Sequence, residues 1–333
     1  TDALGALTAD QLSFFTSTQA RALGTSQIIA LSGQQAVALT SSFVAALTPA
    51  QIASFETDDF SALETSQLLA LNTSHFRALS TAQIKELSRD EIPTLKTSQI
   101  RALTTTQVSS ASTDFIQALA SAQLKELTSS HIRSLNTFQV SSLTSDQMRA
   151  LGSGQALGLA SSQIAGLTPE QSQFLSSGFI SSLSTLQILA LETDDFIAME
   201  TSTIASLKTS QIRALVTGQI SVLGTKHFSG ITSTQITSLS SGQLGAISSE
   251  FIGSLSTAQI RALTSSTVSG LTTGVIFVIS SDQLGAFTST QIRALGTNQL
   301  MALTSDQTST LNARFVSLLT SSQIAAIETD VFS

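Results

Sequence analysis

Large apolar residues recur along this chain with a period of eight. From Leu7 to Ile327 every eighth position is apolar, giving 41 starts with no insertion or deletion. Leu fills 32 of them; the rest are Ile, Phe, Met and one Ala, Ala111. With that residue as position 1, the consensus is L-T-S/T-x-Q-I-x-A. Position 6 is nearly always Ile, Val, Leu or Phe, and position 5 is Gln in 26 of the 41 octads. Unbroken repetition of a short unit predicts a solenoid, in which each unit buries its apolar face against neighbours.

A single long helix does not fit a period of eight. Eight residues at about 100° each advance roughly 80° past two turns, so the Leu stripe would wander and form no face. One short helix per octad does fit. In LTPEQ at 167–171, Thr168 takes the N-cap, Pro169 the first helical position and Gln171 the third, which is a capping box. LTPAQI at 47–52 repeats it, with Leu47 and Ile52 placed as a hydrophobic staple. Position 3 is Ser or Thr in 35 octads, and its six exceptions (Ala9, Gly33, Pro49, Arg89, Pro169, Ala313) each follow a capping residue. Where position 2 caps poorly, at Glu64, Lys96, Ala120 and Val216, position 3 is Ser or Thr. Every octad is therefore expected to carry a cap at position 2 or 3.

Charge follows the same polarity. Of the 22 acidic residues all but Glu86 and Glu126 stand at positions 2, 4 or 5, and ten of the 15 basic residues stand at position 7. Acid early and base late is what a helix dipole favours. The alternative is a β-solenoid with Q-I-x-A-L as strand, which the Ile and Val content suits. Leu at position 1 breaks its period of two, and Gly keeps no fixed slot for corners. The expected fold is thus an all-α solenoid of about 41 very short helices, a single continuous array over residues 1–333. Pro93 conflicts with it, falling in the second turn of its helix. Helices this short are unstable alone, so positions 1, 6 and 8 are expected to pack between coils. The chain starts and stops inside an octad without polar end units, which reads as a window of a longer array or as ends covered by other copies.

A second period overlies the first. Phe replaces the position-5 Gln at Phe43, Phe115, Phe179, Phe251 and Phe315, at steps of nine, eight, nine and eight octads. Asp59, His131, Asp195, Thr267 and Val331 follow in step, and ETDDF at 56–60 returns at 192–196 and, as ETDVF, at 328–332. The superperiod is seventeen octads. Either a partner meets the array once per eight and a half octads on one side, or these residues adjust local packing. Phe43, Phe115, Phe179, Phe251, Phe315, Asp59, His131 and Asp195 are accordingly the candidate interface or packing series.

Composition excludes more than it suggests. Only 11% of residues are charged and the net charge is −7, which argues against a nucleic-acid surface. No apolar run is long enough to span a membrane. Cys, Trp and Tyr are absent. His75, His131 and His227 all occupy position 5 and read as cap substitutes, with no paired metal spacing. Asp58–Asp59 and Asp194–Asp195 read as helix-start acids rather than a calcium loop. No G-x-S-x-G and no Gly-rich phosphate loop occurs. No catalytic residue, metal or cofactor is expected, and the chain does not read as an enzyme.

Units such as LTSSQIAA (319–326), LSTAQIRA (255–262) and LTTTQVSS (103–110) resemble the Ser/Thr-rich octapeptide tracts of very large secreted bacterial proteins of adhesin-like and haem-utilisation-like type. The resemblance covers the whole chain and carries over no catalytic or haem-binding residue. It implies a fibrous role outside the cell or at its surface. The expected function is a structural repeat protein that forms or extends an extracellular filament, sheath or adhesin stalk by self-association. The alternative is a repetitive binding ladder for a polysaccharide, ice or mineral surface. The expected partners are other copies of the chain, and beyond them a cell surface or polysaccharide.

Overall fold

A computed structural model describes residues 6–228 and 230–328. Over these residues each octad forms one α-helix of four to six residues, except for Ser321–Glu328 and for residues 87–94. No strand occurs among the described residues, so the helical solenoid holds and the β-solenoid does not. The chain divides into two compact units, Thr1–Leu167 and Thr168–Ser333.

The octad's letters set the helix ends. Position 2 is the N-cap in extended conformation, positions 3 to 8 are helical, and position 1 of the next octad is extended again. In the helix Thr65–Ala70, Glu64 has φ −76° and ψ 160°, and Leu71 has φ −64° and ψ 135°. Two consecutive extended residues therefore make each corner. No described residue has positive φ, which is why corners need no Gly.

Caps correct one expectation. Where position 2 is Ser, Thr or Asn its side chain accepts from the N3 amide, as Thr104 does from Gln107. At Glu64, Lys96, Ala120 and Val216, position 2 is still the N-cap and offers no side-chain bond. Ser or Thr at position 3 does not take over; Thr65, Thr97, Ser121 and Thr217 are the first helical residues. What persists is the other half of the box: Ala120 N donates to Gln123 Oε1 at 2.8 Å. The expected charge polarity does appear, with Asp58, Asp114 and Asp146 in first turns and Arg21, Arg77 and Arg133 in last turns. Pro93 is accommodated by a change of helix type: residues Ile92–Thr94 form a 3-10 helix, which needs no amide hydrogen from it.

Within each unit helices pack against the third helix along, as Ser41–Ala46 packs on Thr65–Ala70, and Thr209–Ala214 on Thr185–Ala190. The core is made of positions 1 and 6, such as Leu63, Leu68, Leu71 and Phe76. Position 5 is buried as well, whereas position 8 is mostly half-buried. Some position-8 glycines stand where a side chain would collide with the helix beneath. At Gly158 a Cβ would lie 2.6 Å from Ser129 O of the helix beneath.

Ala120→Ser should restore the missing half of a capping box and stabilise the array by about 1 kcal/mol. A rise in the urea midpoint checks it; no rise would mean that the Gln123 bond alone satisfies the helix start.

Candidate functional site

The position-5 slot concentrates the chain's buried polar chemistry. Gln67, 2% exposed, accepts from Glu64 N at 2.6 Å through Oε1. Its Nε2 donates to Ala36 O at 2.8 Å and to Leu39 O at 2.6 Å. Both acceptors belong to the coil before. Leu39 sits in an extended corner, so its carbonyl has no helical partner and the amide supplies one. In the second unit Gln211 repeats the arrangement on Lys208 N, Ile180 O and Leu183 O at 2.7, 2.8 and 2.8 Å. The corner acceptor always lies three and a half octads back, so one coil takes about three and a half helices.

The substitutes in this slot grade by how much of that bonding they keep. His75 Nδ1 accepts from Asn72 N at 3.2 Å, and Nε2 bonds Leu47 O at 2.8 Å. The neutral ring with its proton on Nε2 thus mimics Gln. His131 does the same between Thr128 N and the Leu103 carbonyl. His227 Nδ1 accepts from Gly224 N at 3.1 Å, while Nε2 faces the Ile197 and Met199 carbonyls without closing a hydrogen bond. Burial holds all three imidazoles below their ordinary range. Thr203 keeps one bond, Oγ1 to Leu175 O at 3.0 Å.

The acids keep the cap half at most. Asp195, 1% exposed, accepts from Glu192 N and from Ser172 Oγ, both at 2.8 Å. Asp59 is also buried, with Glu56 and Asp58 beside it. Burial first, then these like charges, push the Asp59 carboxyl above the usual range. Burial does the same to Asp195.

The candidate series lies inside the coils. Phe43, Phe115, Phe179, Phe251 and Phe315 are all 2% exposed or less, and Asp59, His131 and Asp195 are buried with them. None presents a surface. The step from Phe43 to Phe115, and from Phe179 to Phe251, is nine octads, a little over two and a half coils. Successive members therefore do not share one side of a unit. Val331 lies outside the described residues. The pattern missed along the chain is a size match. Position 6 is small at Ala20, Ala36, Ala156, Ser172 and Thr308. Each of these precedes, by the spacing that separates Ser172 from Asp195, a slot where Gln is replaced: Phe43, Asp59, Phe179, Asp195 or Val331. Ser172 and Asp195 show the contact this spacing makes.

No group of three or more His, Cys, Asp and Glu could hold a metal among the described residues. No described helix is long and apolar enough to cross a membrane.

Repeated short helices joined by one recurring side-chain bond define a repeat protein of α-solenoid type. Residues 52–89, 60–97, 116–153, 188–225 and 276–313 match the family model of the ALTTAQ repeat, together just under half of the chain. ALSTAQ at 78–83 shows how that name reads in this octad: position 8, then positions 1 to 5. No curated protein matches the chain.

Gln67→Glu keeps the cap acceptor and removes the amide donor, leaving a buried charge against two carbonyls. It should cost about 3 kcal/mol at neutral pH. Gln19→Glu, at an exposed Gln, should cost little. Equal urea midpoints for the two variants would show that the cross-coil bonds contribute nothing.

Acid should act through the slot in two opposed ways. Below pH 6.5 the unfolded chain takes up protons that folded His75 resists, so stability falls until its lowered pKa is reached. His75→Gln should flatten that fall. Asp59 has the opposite sign: the folded chain holds its proton at higher pH, so stability is greatest below pH 3.8 and is lost as the pH rises through the raised pKa. Asp59→Asn should therefore stabilise at neutral pH with no gain below 3.8. Thermal midpoints across pH test both; a parallel shift at every pH would refute the assignment.

Proposed function

We propose that the solenoid is a structural element that extends end to end into an extracellular or cell-surface filament, sheath or stalk. The observation that carries this reading is the sidedness of the coil. Each coil offers Gln amide donors toward the coil before it and corner carbonyl acceptors toward the coil after it, as Gln67 and Leu39 do. The two edges are complementary and nearly the same at every coil, so an exposed edge of one kind fits an exposed edge of the other on a second copy. Heterologous contacts of that sort propagate rather than close. The likeness of the octads to secreted adhesin-like tracts supports the extracellular setting.

A binding ladder for a polysaccharide, ice or mineral face is the second reading. It is favoured by the Ser or Thr that recurs at position 3 in 35 of the 41 octads, exposed at Thr73 and half-buried at Thr65.

Negative-stain electron microscopy of the purified chain at two concentrations separates them. Fibres that lengthen with concentration, with an axial repeat, are expected for end-to-end growth. Particles of one length at both concentrations would refute growth by this segment and leave the surface ladder.

A further inference from the structure

Two side chains grip one corner of the first unit from opposite coils. Arg21 Nε donates to Ala46 O at 3.0 Å, and His75 Nε2 bonds the next carbonyl, Leu47 O, at 2.8 Å. They flank a groove of about 330 Å³ that Thr48, Asn72 and Ser74 also line. No carboxylate lines it, although acids outnumber bases 22 to 15 in the chain. Among the described residues Arg21 forms no ion pair.

The set recurs. Arg77, Thr104, Thr128, Ser130 and His131 stand seven octads after Arg21, Thr48, Asn72, Ser74 and His75. Arg77 is exposed and in no ion pair among the described residues. His131 bonds the Leu103 carbonyl as His75 bonds that of Leu47. Arg101 stands where Ala45 does, paired with Glu126 at 3.4 Å. Seven octads are close to two coils, so both sets face one side of the first unit. At about 8–10 Å per helix layer they lie about 16–20 Å apart. The third histidine has Gln173 where the arginine would stand.

We propose that this side of the first unit binds a linear carboxylated polysaccharide, Arg21 and Arg77 each taking one carboxylate while the neighbouring hydroxyls and the Asn72 amide take sugar hydroxyls. The planar guanidinium matches a carboxylate. Both sets lack an aromatic side chain on which a base could stack. Two arginine sets on one side favour a polymer over a free ion, because the second contact becomes intramolecular. The proposal deepens the surface-ladder reading and is independent of end-to-end growth.

Fluorescence anisotropy tests it on the full chain, with labelled galacturonic acid and an oligogalacturonate long enough to reach from Arg21 to Arg77. The long ligand should bind at least about 10-fold tighter than the single sugar. Arg21→Gln or Arg77→Gln should each remove that advantage, and the double variant should lose binding. Arg149→Gln, whose guanidinium pairs with Asp146 at 3.1 Å, should bind as the parent does. Because Arg21 also holds Ala46 O, helicity and the urea midpoint are measured for every variant, and Arg77→Gln carries the test if Arg21→Gln misfolds. Absence of binding, an equal loss in Arg149→Gln, or equal affinity for a carboxyl-reduced chain or single-stranded DNA would overturn it. Each of these outcomes leaves end-to-end growth standing.

Discussion

A helix of one and a half turns is nearly all ends. Most of its amide hydrogens and carbonyls lie within four residues of a terminus and find no partner inside it. The position-5 carboxamide meets that deficit at two places at once. Its oxygen takes the amide hydrogen at the start of its own helix, and its nitrogen feeds carbonyls at the end of a helix one coil back. Local capping and long-range stacking are thus one set of bonds made by one side chain. Burial of Leu and Ile supplies the non-directional attraction, and the amide dictates where each coil sits on the last.

The departures from Gln follow from that double task. His75 and His131 keep both halves because the two ring nitrogens accept and donate on opposite sides, which requires the neutral form. Asp195 keeps the cap and reaches only as far as Ser172. Phe abandons the polar task and fills space, as at Phe43, whose ring meets Phe15 edge-on at 6.1 Å.

Much of this was legible along the chain. The period of eight, the position-2 caps and the placement of charge all describe events within one octad, and local chemistry is what a sequence displays. Half of the glutamine's role was not, because its carbonyl partners lie a full coil away with no local trace. A signal existed nonetheless. Glu closes a capping box as well as Gln does, yet it occupies position 5 only at Glu91, in the octad that becomes a 3-10 helix. An amide preferred over an acid of the same shape means its hydrogens are needed. The Ser and Thr at position 3 misled for the opposite reason. They look like caps in isolation, but the corner is set by the extended residues before them. The regular spacing of the Phe series left a one-sided contact and a packing adjustment open; all five rings are buried, and a small residue precedes Phe43 and Phe179 at the matching spacing.

The ladder also constrains how such a gene can change length. Gain or loss of one whole octad preserves every amide's partners by type, since position 5 still finds positions 1 and 6 a coil back. Gain or loss of a single residue puts the next coil's glutamines over the wrong carbonyls, and from Leu7 to Ile327 no such slip is present. Octads inserted between the matched small and substituted positions, such as Ala36 and Asp59, would separate the pair. Length can therefore drift freely in steps of twenty-four nucleotides only outside those windows, and crosses them without damage only by copying a block that contains both partners. The return of ETDDF after seventeen octads has the form such a copying event leaves.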